Sequence, residues 1–170
     1  MSVTVSDHRS LEHADQQETD IDPDDLCDIL NAVHQALDLP AGDIEFNLVD
    51  DATIAGLNRE YRGNNAPTNV LSFPHYNWVD PGTCLDDLPE PGPDSPPVLW
   101  GEIFVSPDTI RRQMSPDTDS FLLETVRIGI HGMLHLFGYD HETDEQYSVM
   151  LPMEQLGFDF AIRWLEQKET

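Results

Sequence analysis

The sequence predicts one mixed domain in which helices and short strands alternate, and three observations predict it. At 170 residues and 19.2 kDa the chain is long enough for one ordinary hydrophobic core and short for two. Apolar residues recur at helical spacing through Leu26, Ile29, Leu30, Val33 and Leu37, and again through Phe121, Leu122, Val126, Ile130, Leu134 and Phe137. Ile44, Phe46 and Leu48 alternate with polar neighbours, as a half-buried strand does.

Residues 1–20 are polar and acidic, and they read as a flexible leader or, at Val3-Thr4-Val5, an edge strand. Residues 21–170 are expected to form the single domain. Its first helix opens with Asp22 as N-cap and Pro23 at the first helical position, and stops near Leu39-Pro40. The strand 44–48 follows. A short helix after Asp50-Asp51 carries Ile54, Leu57 and Tyr61 and ends near Gly63. Thr68 to Phe73 has strand character in its second half, with Leu71 and Phe73 expected in the core and Pro74 as the stop. Residues 77–97 hold six prolines, two glycines and five acidic residues without one basic residue, which predicts a meandering insertion. Leu99 to Val105 resumes as a strand, and Ser106-Pro107 begins a turn or short helix containing Ile110. The longest helix starts between Asp117 and Ser120, is apolar around much of its circumference and therefore lies at least partly in the centre, and stops at Gly138. A last helix opens at Asp144-Glu145 with Val149, Met150, Met153 and Leu156 as its apolar positions, and Pro152 could divide it into two pieces, with Phe160 and Trp164 packing from the second.

Thirty-three Asp and Glu against eight Lys and Arg give a formal charge of -25 and a pI near 4.1. That balance excludes a generic basic nucleic-acid binder. The excess is spread along the chain: residues 1–28 hold nine acidic residues, the remaining 142 hold 24, and Lys168 is the one lysine. A low-pI protein with an acidic leader would show some of this. Adaptation to concentrated salt explains more of it, because screening suppresses carboxylate repulsion while hydrated carboxylates keep the surface soluble. No apolar span approaches 18 residues and the N-terminus lacks a basic start followed by an apolar core, so a soluble, cytoplasmic protein without membrane contact is expected. Cys27 and Cys84 have neither metal-ligand spacing nor the density of a disulfide scaffold. Cys27 is expected to pack as a small apolar side chain, and Cys84 to sit in a polar loop.

Chemistry concentrates in His131-Gly-Met-Leu-His135-Leu-Phe-Gly138-Tyr-Asp-His141. His131 and His135 are four residues apart and share one helix face, so both imidazoles can converge on one ion. Gly138 can reverse the chain just beyond the helix and return His141 as a third ligand. Three neutral imidazoles suit zinc with one position left for water, which is catalytic in character. A structural zinc site would need a fourth ligand, and neither cysteine is near. A helix end merely capped by three unrelated histidines is the bland alternative. The spacing also resembles the extended zinc motif of metzincin proteases, but Gly132 stands where those enzymes carry their catalytic glutamate. Proteolysis is therefore a poor first choice.

The segment more closely resembles the YbeY-type family of bacterial metal-dependent single-strand endoribonucleases, whose characteristic run His-Gly-x-Leu-His-Leu-x-Gly-Tyr-Asp-His is matched at every fixed position from His131 to His141. Further matches in order are Leu57-Asn58-x-x-Tyr61-Arg62, Pro67-Thr68-Asn69-Val70-Leu71-Ser72-Phe73 and Gly101-Glu102-Ile103-Phe104-Val105-Ser106, with Met150 and Glu154 matching a less specific helical tail. Two departures stand out. The family commonly has Gly-Asp where this chain has Gly101-Glu102, and the acidic stretch 77–97 is longer than its usual connection.

The resemblance implies an α+β fold, a small mixed sheet packed with helices around a central zinc-bearing helix. It implies one zinc ion per chain and a zinc-dependent, single-strand-specific endoribonuclease acting in ribosomal RNA processing, including maturation of the small-subunit RNA 3′ end, and in ribosome quality control. The implied partners are single-stranded RNA and the ribosomal small subunit or its precursor RNA, with no DNA. Arg62 stands at the family's Tyr-Arg position and is the expected catalytic residue, since its planar fork can hold a phosphate through two hydrogen bonds. Arg59 is one turn earlier and stands ready to assist or to pair with an acidic neighbour. Thr68, Asn69 and Ser72 are candidate groove contacts, and His75 and Tyr76 are candidates for base stacking or loop packing. Glu102 and Asp140 are candidates to orient a ligand imidazole, or to fix a strand end and cap a turn. Two other functions stay open: a non-catalytic ribosome-assembly factor stabilised by its metal and, further off, a metalloprotease.

Overall fold

A computed structural model describes residues 2–9, 21–89, 92–118 and 120–168. The acidic leader, over residues 10–20, lies outside the described residues. Val3–Asp7 forms β1, and it pairs in parallel with β2, Asp43–Leu48, in the register Val3 opposite Ile44. β2 runs parallel to β6, Leu99–Val105, and β6 pairs antiparallel with β3, Val70–Pro74. The four strands lie in the order β1-β2-β6-β3, so the sheet is mixed, with β1 and β3 at its edges. This is an α+β fold with a small sheet. Among the described residues no helix is long and apolar enough to cross a membrane.

Local chemistry sets the helix boundaries. α1 is Pro23–Ala36, with the Asp22 carboxylate accepting from the Asp24 N–H. α2 is Asp51–Arg62, capped by Asp50, and it ends where Gly63 turns left-handed at φ 69°. α3 is Pro107–Gln113, capped by Ser106, so the residues after the last sheet strand form a true helix. α4, Phe121–Leu136, starts at the Ser120 cap and lies against β3, β6, α1 and α3. Leu26, Ile29, Leu30, Val33, Phe46, Ile103, Ile130, Leu134 and Phe137 are buried together between helices and sheet.

Several expectations fail. α5, Asp144–Lys168, runs unbroken through Pro152. Pro152 faces solvent, so the carbonyl it leaves without an N–H partner, that of exposed Ser148, is open to water. On the same helix Val149 and Leu156 are half exposed, and the buried stripe is Met150, Gly157 and Ala161. The insertion 77–97 also begins as ordered structure. Trp78–Asp80, β4, pairs with Thr83–Cys84, β5, as a hairpin that places Cys84 in a strand. Trp78 packs against Trp100 and Phe137, with ring centroids 5.8 and 6.1 Å away. This tertiary contact overrides the local composition. Phe73 is only partly buried and joins Leu71 in a smaller apolar cluster with Val49 and Ile54, whereas Tyr61 is 61% exposed with its ring edge against Phe73.

Candidate metal centre

The last two turns of α4 and the loop after it bring His131, His135 and His141 together. One ring nitrogen from each lies within 4.8 Å of the other two, and among the described residues no fourth His, Cys, Asp or Glu joins the group. Cys27 is occupied elsewhere, its Sγ donating to the Val3 carbonyl at 3.0 Å. The reversal that returns His141 depends on Gly138. Its φ is 87°, and a side chain there would meet Trp78 Cβ at 2.6 Å, so both conformation and space require glycine. The Gly138 and Tyr139 N–H groups donate back to the carbonyls of His135 and Leu134, which closes the helix end.

Hydrogen bonds aim the rings. His131 Nδ1 meets Glu154 Oε1 at 2.5 Å, and His135 Nδ1 meets the Tyr139 carbonyl at 2.9 Å. A carboxylate and a carbonyl only accept, so each Nδ1 carries a proton, and the neutral form of each ring has its lone pair at Nε2. Those two Nε2 atoms stand 3.0 Å apart. Two lone pairs facing one another at that distance repel unless a cation or a proton lies between them. Burial, then the neighbouring His131 and His141, push the His135 pKa below the usual histidine range, while Asp140 pulls the other way. A three-imidazole donor set fits zinc, and it fits it with room for a further ligand.

The histidines open into a cleft of about 660 Å³. Arg62, from the end of α2, lines it and is exposed, and among the described residues no carboxylate pairs with it. Other cations are less free. Arg112 is bound to Asp51, Arg127 to Glu124 and Lys168 to Asp25. Arg59 is not on the cleft, and its guanidinium reaches the Asn65 side chain at 3.4 Å. Thr68, Asn69 and Ser72 do line it, although the Ser72 hydroxyl donates to the Gly132 carbonyl and the Asn69 amide to Gln113. Tyr76 lines the cleft with its ring packed on Trp100, while His75 lies off it and faces Glu102 across 3.6 Å.

Glu102 thus orients no ligand imidazole. It stands in β6 opposite Phe73. Asp140 caps the turn by accepting the His141 N–H at 2.8 Å, and it acts on His135 only through its charge. The residue that does touch a cluster histidine is Glu154, which local sequence reading left unassigned. One signal pointed to it: Met150, Glu154, Gly157 and Ala161 share a helix face, and a carboxylate in an otherwise buried stripe needs a partner. Trp78 was missed too, because nothing local shows that the acidic insertion folds back to wall the cleft.

A family model described as Endoribonuclease YbeY matches residues 10–159. Over 121 residues the chain is 40% identical to the Endoribonuclease YbeY of Nitrobacter winogradskyi, covering 70% of this chain and 59% of that protein. It is 39% identical over 118 residues to that of Geobacillus thermodenitrificans, covering 69% of this chain and 72% of the other. The chain therefore spans less than two thirds of the length of the Nitrobacter relative. The solution structure of a Thermotoga maritima protein shares the fold, with a TM-score of 0.58 at 22% identity over 98% of this chain and 92% of that one. The matched region takes in the three histidines, Arg62 and Glu154 together, and on that breadth of agreement the chain belongs to the Endoribonuclease YbeY family.

Proposed function

We propose that this protein is a zinc-dependent endoribonuclease that cuts single-stranded RNA in ribosomal RNA processing, including maturation of the small-subunit 3′ end, and in ribosome quality control. The observation that carries the reading is the cleft itself: three converging imidazoles and one arginine that, among the described residues, has no carboxylate partner, in a molecule of charge -25. His131, His135 and His141 would hold one zinc ion, which when bound supplies Lewis acidity toward a phosphoryl oxygen or toward water. Arg62 receives the phosphate, and its fork offsets the negative charge that grows on the oxygens as the bond breaks. Burial, then the neighbouring His131 and His141, lower the His135 pKa, which favours the neutral ring that a metal ligand must be. The hydrolase unit comprises residues 21–170, with β1 completing its sheet, and its setting is the cytoplasm, with precursor ribosomal RNA and the small subunit as partners.

The family resemblance and the chemistry of the cleft support this over the alternatives. Proteolysis finds no base after the first histidine: Gly132 faces the sheet, where a side chain would start 3.1 Å from Val70, Ser72 and Ile103 atoms. A non-catalytic assembly factor would bind ribosomal particles without cutting RNA. The test is cleavage of a defined single-stranded RNA by highly purified protein in high salt beside the His135→Ala variant, with the product ends analysed. Cleavage that disappears in the variant is expected. Equal cleavage by both would assign the activity to a contaminating ribonuclease and leave the assembly factor as the better reading.

A further inference from the structure

We propose that Glu154 is a positioning residue for the metal centre: from the middle of α5 it fixes the Nδ1–H form of His131 and so aims Nε2 at the ion. This rests on the metallohydrolase reading above, and it names a residue that acts through a ligand without touching the ion. Three observations carry it.

The first is the contact. Glu154 Oε1 and His131 Nδ1 are 2.5 Å apart, and the two side chains are only 27% and 29% exposed, so water competes weakly for either. The second is the place of Glu154 in its helix. Met150 and Ala161 on the same stripe are 1% and 0% exposed, and Gly157 between them is buried. Packing alone would put leucine or methionine at position 154, because a carboxylate there costs desolvation that only a hydrogen-bonded partner offsets. The third is how the helices meet. A side chain at Gly157 would start 3.1 Å from Leu37 and 3.3 Å from both Ile130 and Val33, so α5 runs unusually close to α1 and α4 at that level. One turn earlier the same approach carries Glu154 onto His131, the residue after Ile130.

The two helical ligands are thereby oriented by different devices. His135 relies on the Tyr139 carbonyl, which belongs to the helix's own C-terminal turn. His131 relies on a side chain 23 residues away. Outer partners of this kind typically change metal affinity by about 10- to 100-fold.

Two substitutions separate positioning from packing. Glu154→Leu suits the buried stripe and should fold at least as stably as wild type, yet zinc affinity measured by chelator competition should fall about 10- to 100-fold. Glu154→Gln keeps a carbonyl oxygen for the Nδ1–H and should lie much closer to wild type. Zinc affinity of the leucine variant within twofold of wild type, or equal losses in both variants, would overturn the proposal. A second measurement stands independently of metal: ¹⁵N-edited spectra of the metal-free protein at pH 8.5 should show His131 as the Nδ1–H tautomer in wild type and shifted to Nε2–H in Glu154→Leu. An unchanged tautomer overturns the proposal, whereas a wild type that takes up no zinc yet shows the tautomer shift overturns only the metal reading.

Discussion

Arg62 illustrates how a single side chain can matter more than the net charge around it. The whole molecule repels RNA, so a phosphate reaches the histidines only where a local cation offsets the field. On the proposed reading Arg62 is that cation, exposed on the cleft and, among the described residues, in no ion pair with a carboxylate. Arg62→Ala should keep zinc and fold but lose about 100-fold or more in single-turnover cleavage. Arg62→Lys should recover little, because a point charge does not reproduce a planar fork. Cleavage by Arg62→Ala within twofold of wild type would remove Arg62 from the chemistry. Much of this residue-scale picture was legible in the sequence, since His131 and His135 are related by helix geometry and His141 by one glycine turn. Glu154 was legible only as an oddity in an apolar stripe, because its partner is fixed by how two helices cross.

At the scale of elements, Asp51 helps set α2, and with it Arg62, against the rest of the fold. Its carboxylate accepts from the Ser106 and Thr109 hydroxyls at 2.7 Å each and pairs with Arg112 at 2.6 Å, tying the start of α2 to the corner between β6 and α3. Burial pushes its pKa up, but the hydrogen bonds from Arg112, Thr109 and Ser106 outweigh it and hold the group below the usual aspartate value. A carboxyl lowered on folding contributes stability above its unfolded pKa of about 3.9, and that contribution is lost as pH falls through the folded value. Asp51→Ala should therefore cost about 2 kcal/mol at pH 7, since it removes the acceptor of two buried hydroxyl donors, Ser106 and Thr109, and the carboxylate partner of Arg112. Urea unfolding in 1 M salt should show the difference from wild type shrinking toward pH 3, and an unchanged difference would mean that the carboxylate contributes nothing through its charge. The helices themselves were readable from caps such as Asp22, Asp50 and Ser120. The β4–β5 hairpin was not, because Trp78 is ordered by Trp100 and Phe137, far along the chain. Nor was the unbroken α5, because whether Pro152 breaks a helix depends on which face meets water.

For the molecule as a whole, charge is the dominant quantity. With 33 carboxylates and eight cations, several of the latter already paired, the folded surface is a dense field of like charge. That repulsion weakens as the Debye length falls from about 10 Å at 0.1 M salt to about 3 Å at 1 M. Thermal unfolding followed by circular dichroism should shift upward between those concentrations, and equal or lower stability at 1 M would reject adaptation to salt. Composition showed the charge at once, whereas the site it surrounds needed spacing, and the support beneath the site needed the fold.

The central claim is that three histidines form one metal site. Native mass spectrometry of the purified protein measures it directly. The account predicts one zinc per wild-type chain and strong loss in each of His131→Ala, His135→Ala and His141→Ala, with the fold retained by circular dichroism. One tightly held zinc in all three variants would contradict it.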